Sequence, residues 1–302
     1  MVMSVYNGEK YVREAIDSIL AQTLPDFEFI IIDDGSQDRS LEIIEAYVDE
    51  RILLIRNGRN IGLTRSLNKG LGVARGEYIA RMDCDDVSLP NRLAAQVAFM
   101  DANPGIDACG TWALDVDRAG NVIGKRETFV GEQLNNFYWR MSLIHSSSMF
   151  RFSQALGPRY EETCRVSQDY DLWLRIGAES KLSTLPEYLL LYRVHDESVT
   201  VGNSDEQVST AYRSFSKYIG GQVISYQEFK ALMGFSQELN PIRRMFATRQ
   251  LAKRLGKPYS IFFNDDIEYL RQWSREPATN SFLALVFKAL RCVRRQIRFR
   301  ST

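Results

Sequence analysis

The first eighty residues alternate short apolar runs with helix-spaced segments, and that alternation restricts the fold more than any other feature of the chain. Apolar runs stand at Val2–Tyr6, Phe27–Ile32, Ile52–Ile55 and Tyr78–Met82. Between them, Tyr11–Ala21, Ser40–Val48 and Thr64–Ala74 carry helical patterns. In the first of these, Val12, Ala15, Ile16, Ile19 and Leu20 recur at spacings of three and four, which gathers one apolar face to cover a sheet. Strands alternating with helices predict βαβ units and a mostly parallel open α/β sheet with flanking helices.

From about Asn103 the pattern loosens into short strands at Ala108–Leu114 and Val122–Ile123 and helices at Glu132–Met141 and Asp169–Ile176. Beyond the polar stretch Gly202–Glu206 the chain reads as helices at Glu206–Tyr218, Pro241–Leu255, Asp265–Arg275 and Asn280–Arg298. This divides the chain into an α/β domain over 1–202 and a basic helical region over 203–302. Charge divides with it. Lys+Arg and Asp+Glu balance at 38 each, which argues against a nucleic-acid binder, yet residues 1–202 hold 21 bases against 30 acids and residues 203–302 hold 17 against 8.

Composition narrows the class further. The cysteines Cys84, Cys109, Cys164 and Cys292 form no CxxC pair, so neither a zinc site nor a disulfide framework is expected. No apolar run reaches the roughly 18 residues of a membrane-spanning helix, and the start lacks the basic-then-apolar pattern of a secretory signal. A cytoplasmic location follows as the expectation. The end of the chain qualifies it, because Phe282, Leu283, Val286, Leu290, Val293 and Ile297 recur at helical spacing among Lys288, Arg291, Arg294, Arg295, Arg298 and Arg300. A basic amphipathic helix over 280–300 fits peripheral contact with an anionic membrane, and equally fits packing on neighbouring helices.

The chemistry is concentrated in Asp83-Cys84-Asp85-Asp86, directly after the strand expected at Tyr78–Met82. Ligands of open α/β sheets bind outside the carboxyl ends of strands, and acids crowded there repel one another unless a cation intervenes. All-oxygen ligands select a hard divalent ion, Mg²⁺ or Mn²⁺. A solvated acidic turn is the other reading. A second strand, Phe27–Ile32, ends in Asp33-Asp34-Gly35-Ser36 and delivers carboxylates to the same edge. One of these can accept the N3–H of uracil or thymine, or Asp34 or Ser36 can cap the following helix.

The ordered set Val5-Tyr6-Asn7-Gly8-Glu9, Ile31-Ile32-Asp33-Asp34-Gly35-Ser36, Asn60-Ile61-Gly62-Leu63, Arg75-Gly76-Glu77-Tyr78-Ile79-Ala80, Asp83-Cys84-Asp85-Asp86 and Asp169-Tyr170-Asp171-Leu172-Trp173 resembles the family 2 glycosyltransferases over about residues 1–200. The resemblance implies the GT-A fold and an inverting, metal-dependent hexosyl transfer. The donor is a UDP- or dTDP-sugar and the acceptor a hydroxyl of a glycan or lipid-linked molecule, in cell-surface polysaccharide synthesis. Carried over by motif, Tyr6 packs on the base and Asp34, or else Asp33, reads it. Arg65 reaches the diphosphate, Asp83 touches ribose or metal-bound water, Asp85 ligates the metal, and His195 completes the metal shell or touches the diphosphate.

The catalytic base corresponds to Asp169, with Gln168 standing where the family usually has Glu. Asp169 is also well placed as a helix cap. Trp112 and Trp173 are candidates for an apolar face toward a sugar ring at the acceptor mouth, core packing being the alternative for Trp173. Two other functions share much of this pattern. A sugar-phosphate nucleotidyltransferase also uses carboxylates and a metal on an α/β sheet, but Val5–Glu9 is not its glycine-rich phosphate loop. A non-catalytic nucleotide-sugar-binding module is the second. The glycines Gly70, Gly72 and Gly76 spell neither GxGxxG nor a P-loop, which removes a nicotinamide cofactor from consideration.

Overall fold

In the computed structural model, residues 1–128, 130, 143–153, 155, 157, 159–195, 204–218, 221, 224–233 and 241–254 are described. The helices expected at Glu132–Met141, Asp265–Arg275 and Asn280–Arg298, the last including the basic 280–300 stretch, lie outside them.

Strands β1 (Val2–Val5), β2 (Phe29–Asp33) and β3 (Ile52–Arg56) form a parallel sheet in the order β1-β2-β3. Val2 to Val5 pair with Ile30 to Asp33, and Phe29 to Asp33 pair with Ile52 to Arg56. All five residues of β2 are buried, as its unbroken apolar run requires of a strand with neighbours on both sides. Helices α1 (Val12–Leu20), α2 (Ser40–Glu45) and α3 (Leu63–Val73) follow the three strands in turn. Val12, Ala15, Ile16 and Ile19 form the buried face of α1, each isoleucine contributing roughly 1.5–3 kcal/mol of apolar burial. Helix α3 lies close on the sheet because Gly70 has no side chain. A Cβ there would stand 2.8 Å from Val2 Cγ1 and 2.9 Å from Ile32 Cδ1.

The second sheet runs β4 (Tyr78–Ala80), β8 (Met149–Arg151), β6 (Ile106–Val116), β9 (Lys181–Arg193) and β5 (Val87–Ser88), with β7 (Val122–Arg126) paired to β6. Within it β6 and β9 are parallel and the other pairs antiparallel. A parallel bridge between Val2 and Arg81 sets β1 beside the end of β4 and joins the two sheets. Helix α4 (Arg92–Ala102) covers one face, where Met100, Cys109, Ala113, Met149 and Leu190 share a core with Val5, Ile16 and Phe29. Helix α5 (Gln168–Glu179) covers the other face through Trp173, packed edge-on to Phe150 with ring centroids 6.2 Å apart.

Helix α6 (Ser204–Tyr218) packs against α5, so the first compact unit runs to Gly221 rather than ending at Gly202. The helix expected at Glu206–Tyr218 in the basic region carries buried Val208, Ala211 and Phe215 and belongs to the first unit. The second unit starts at Gln222. Its described part holds α7 (Tyr226–Leu232) and α8 (Pro241–Arg254), with Phe229, Leu232, Leu251 and Ala252 buried. No described helix is long and apolar enough to cross a membrane. Helix α4 and the long strand β9 are absent from the periodicity reading, β9 because Pro186 and Glu187 break its alternation.

Under the second sheet lies Arg92, fully buried without a carboxylate partner. Its guanidinium donates to Arg81 O at 2.6 Å, Gln96 Oε1 at 3.1 Å and Ser148 O at 3.4 Å, tying β4 to β8. Burial pulls its pKa down to about 9. Truncation would leave those acceptors dry and open a cavity. Arg92→Ala is therefore expected to lose about 3 kcal/mol or more of stability, read as a lowered urea midpoint. An unshifted midpoint would show that the guanidinium holds nothing together.

Candidate functional site

The carboxyl ends of β1 and β2 border a cavity of about 560 Å³ lined by Tyr6, Asp33, Gly35, Ser36, Gln37, Arg59 and Asn60, among others. Tyr6 is 44% exposed, so its ring is available to a ligand. Asp33 is buried at the cavity wall, and among the described residues its carboxylate accepts the Ser36 N–H over long bonds of 3.4 Å. The loops around it are laced together. Asn7, at φ 52°, donates its N–H to Ser36 Oγ and accepts from Gln37 N–H at 2.8 Å, while Gly8 N–H reaches Ser40 Oγ at 2.8 Å. Gly35, at φ 74°, lets the 58–60 loop cross directly over it, since a Cβ would come within 2.6 Å of Arg59 C.

Asp34 points elsewhere, against the expectation that it reads the base. Its carboxylate accepts Asn57 Nδ2 at 2.8 Å and the N–H groups of Ile61 and Gly62 at 2.9 Å each. Those three donors take three of its roughly four acceptor positions and fix the 57–62 loop. Among the described residues it does not line the cavity, so Asp33 is the carboxylate presented there. Arg65 is also drawn off, to an exposed ion pair with Glu162 at 3.4 Å.

At the end of β4, Asp83, Asp85 and Asp86 place carboxylate oxygens within 4.8 Å of one another. Each is held by a different cation or donor. The buried Arg81 guanidinium grips both oxygens of Asp83, whose N–H donates to Ser146 Oγ at 2.9 Å. His195 Nε2 lies 2.9 Å from Asp85 Oδ2, and Asp86 Oδ1 accepts Arg193 N–H at 2.8 Å. Burial and then the neighbouring charges push Asp85 above the usual carboxylate range and Asp86 well above it. Among the described residues, Asp86 Oδ2 and His195 Nδ1 are buried without a hydrogen-bond partner. Mutually repelling oxygens, an imidazole and an orphaned buried acceptor fit a hard divalent cation.

Asp86 and Arg193 were not singled out from the sequence as site residues. Asp86 stands in the quoted acidic run, but only its burial separates it from a solvated turn residue. Arg193 closes the frame of the site. Its buried guanidinium donates to Asp85 O at 2.8 Å, Asp117 O at 3.1 Å, Arg118 O at 3.2 Å and Glu14 Oε2 at 2.7 Å, and lies 4.7 Å from the Tyr11 ring centroid.

Asp169 stands in the first turn of α5 behind Ser167, which is left-handed at φ 54°. Burial raises its pKa, while the Tyr170 N–H and the Arg81 charge oppose the rise and the Asp83 charge adds to it. Asp169 therefore shares one electrostatic neighbourhood with Arg81 and Asp83. A carboxyl whose proton affinity is raised by burial is suited to accepting a proton. His145 Nε2 meets Tyr160 Oη at 2.8 Å in the same neighbourhood, held neutral by burial and by Arg81. Trp173 is core, packed edge-on against Phe150 and His145. Trp112 is half-exposed.

Residues 1–156 match the model of the Glycosyl transferase family 2. An uncharacterized glycosyltransferase of Methanocaldococcus jannaschii is 39% identical over 64% of this chain and 70% of its own length. The O-antigen biosynthesis glycosyltransferase WbnJ of Escherichia coli is 34% identical over 66% of this chain and 80% of its own length. Among solved structures, S. aureus TarS 1–349 in complex with UDP-GlcNAc superposes with a TM-score of 0.62 at 19% identity, over 84% of this chain and 79% of that one. That likeness shows the GT-A fold.

The acidic cluster has a measurable signature. A carboxyl whose folded pKa is raised stabilises the fold below its unfolded value near 3.8 and loses that contribution as pH rises through the folded value. Metal-free protein should thus gain about 2–4 °C in melting temperature at pH 7 from Asp86→Asn, and the gain should shrink toward pH 4. A variant less stable than the parent at pH 7 would show that Asp86 is not repelled there.

Proposed function

The chain belongs to glycosyl transferase family 2, and from that membership and the site above we propose that it is a metal-dependent, inverting hexosyltransferase using a UDP- or dTDP-sugar. The observation carrying this reading is that Asp169 and the Asp83–Asp86 cluster meet around one buried guanidinium, Arg81, at the sheet edge that also bears the Tyr6/Asp33 cavity. Tyr6 stacks on the base, and Asp33 accepts the N3–H of uracil or thymine, the role first considered for Asp34. Asp83, fixed by Arg81, is available to ribose. Asp85, Asp86 and His195 would hold Mg²⁺ or Mn²⁺, which when bound supplies positive charge against the leaving diphosphate.

Asp169 holds the acceptor hydroxyl and takes its proton as that oxygen attacks the anomeric carbon. A single displacement from the face opposite the diphosphate inverts configuration. The exposed Arg65 is no longer needed at the diphosphate. The acceptor is a glycan or lipid-linked hydroxyl in cell-surface polysaccharide synthesis, a context supported by the O-antigen relative. The basic 280–300 stretch supports contact with the anionic inner face of a plasma membrane, where a lipid-linked acceptor would be met.

Screening UDP- and dTDP-sugars for Mn²⁺-dependent release of nucleoside diphosphate tests the donor, and no release with any of them overturns it. Asp169→Asn is expected to lower kcat about 10²–10⁴-fold. Transfer at the parental rate would show that another group takes the proton. Asp33→Ala should weaken UDP binding about tenfold or more by calorimetry, the loss of one charged hydrogen bond. An equal loss in Asp34→Ala without any in Asp33→Ala would reverse the assignment of the two acids.

A further inference from the structure

The aromatic pair Trp112 and Tyr188 is not used by the chemistry above. Resting on the glycosyltransferase reading, we propose that this pair is a subsite for a pyranose ring of the acceptor, stacked by its apolar C–H face, so that the acceptor is a glycan with a sugar next to the reacting hydroxyl.

Strand alternation places the pair. Cys109 and Ala113 face the core shared with α1 and α4. Trp112 therefore lies on the other face of β6, the one on which Trp173 of α5 packs against Phe150. Asp169, in the first turn of α5, belongs to that side. Register sets the height along the sheet. Ala80 of β4 pairs with Met149 of β8, which pairs with Cys109 of β6. Beyond that level the chain leaves β4 for the acidic cluster, Asp83 N–H donating to Ser146 Oγ in the turn that leads into β8, while β6 runs on to Trp112. Thr111, next to Trp112, donates its N–H to Ser147 Oγ in that same turn at 3.0 Å, so the aromatic pair and the acidic cluster flank one turn.

The pair is built to receive a ring. The register of β6 and β9 jumps from Thr111↔Leu185 to Trp112↔Tyr188, so Pro186 and Glu187 bulge out and Tyr188 is brought opposite Trp112. The ring centroids stand 5.4 Å apart at 50°, and both side chains are half-exposed. The indole is held by donating to Thr128 O at 3.2 Å. Polar groups rim the pair: Tyr188 Oη donates to Glu127, Lys125 Nζ lies 5.2 Å from the Tyr188 ring, and the Thr128 and Thr184 hydroxyls meet at 3.1 Å. An aromatic face takes the apolar side of a pyranose by dispersion and by attraction of its ring hydrogens to the π cloud, while rim donors and acceptors take its hydroxyls. A bare prenyl phosphate has no use for that rim.

Saturation-transfer NMR on the full chain with UDP and Mn²⁺, probed with the methyl glycosides of glucose, galactose, mannose and N-acetylglucosamine, tests this directly. At least one glycoside is expected to receive saturation on its ring hydrogens. That signal should vanish in Trp112→Leu, which keeps apolar bulk but removes the π face, and in Tyr188→Ala. Trp112→Phe should retain it. Melting curves establish that each variant is folded, and because the two sites are substituted separately, one misfolded protein leaves the other to decide. No saturation of any glycoside by the parent protein, or undiminished saturation in a folded Trp112→Leu or Tyr188→Ala variant, overturns the subsite. Should the parent protein release nucleoside diphosphate from a UDP-sugar while either result is found, the subsite alone fails. Failure to bind UDP at all would instead strike the glycosyltransferase reading.

Discussion

Like charges brought to one edge of a sheet are the condition to which the rest of this molecule is fitted. Asp83, Asp85 and Asp86 follow β4, which lies between β8 and, through the Val2–Arg81 bridge, β1, and water alone would not offset their repulsion at this burial. Two buried guanidiniums answer it in different ways. Arg81 lies beneath the cluster and gives its charge to Asp83 and, through space, to Asp169. Arg193 spends its donors on backbone carbonyls and Glu14, so it acts as a frame, pinning Asp85, the 117–118 turn and helix α1 to the end of β9. Neither neutralises Asp85 or Asp86, and that residual charge is where a cation fits. Stability is withheld at the place where function needs a negative field.

The same separation of duties divides Asp33 from Asp34. Adjacent residues on a strand point to opposite sides, so two consecutive acids at its end cannot share one job. Asp34 turns into three donors of the 57–62 loop and becomes part of the scaffold. Asp33 faces the cavity with the long bonds from Ser36 and keeps lone pairs for a ligand. A motif match recovers the pair and not the division, because which member is satisfied depends on Asn57, Ile61 and Gly62, residues that are anonymous until the loop is folded over Gly35.

The βαβ half was legible in the sequence because its signals are local. The apolar run of β2, the three-and-four spacing of α1 and the acids after β2 and β4 can each be read within a dozen residues. What escaped depends on distant partners. Strand β9 carries a bulge at Pro186–Glu187 that breaks its period, and it is held by pairing with β6 some seventy residues earlier in the chain. Arg193 looks like a surface base until Asp85, Asp117 and Glu14 are placed around it. Helix α6 reads with the basic helices that follow it, and its contact with α5 places it in the first unit. Arg65 matches a local motif, while its exposed ion pair with Glu162 is set by a residue almost a hundred positions away.

These long-range pieces determine what the site can do. The Tyr6/Asp33 cavity sits on the parallel half, whose loops are short and tied to one another by Asn7, Ser36 and Ser40. The side proposed for the acceptor is assembled from β6, β7, β9 and α5, joined by register rather than by sequence proximity. A shift of β9 by one residue against β6 would carry Tyr188 to the opposite face. It would also move Arg193 and His195 off the acidic cluster, since all three residues ride on or just beyond the same strand. Changes in the bulge at Pro186–Glu187 could therefore alter what lies beside Trp112 while leaving the Arg193 end in place, because the bulge absorbs the register change between them. A fold arranged in this way can hold its donor site constant and vary its acceptor.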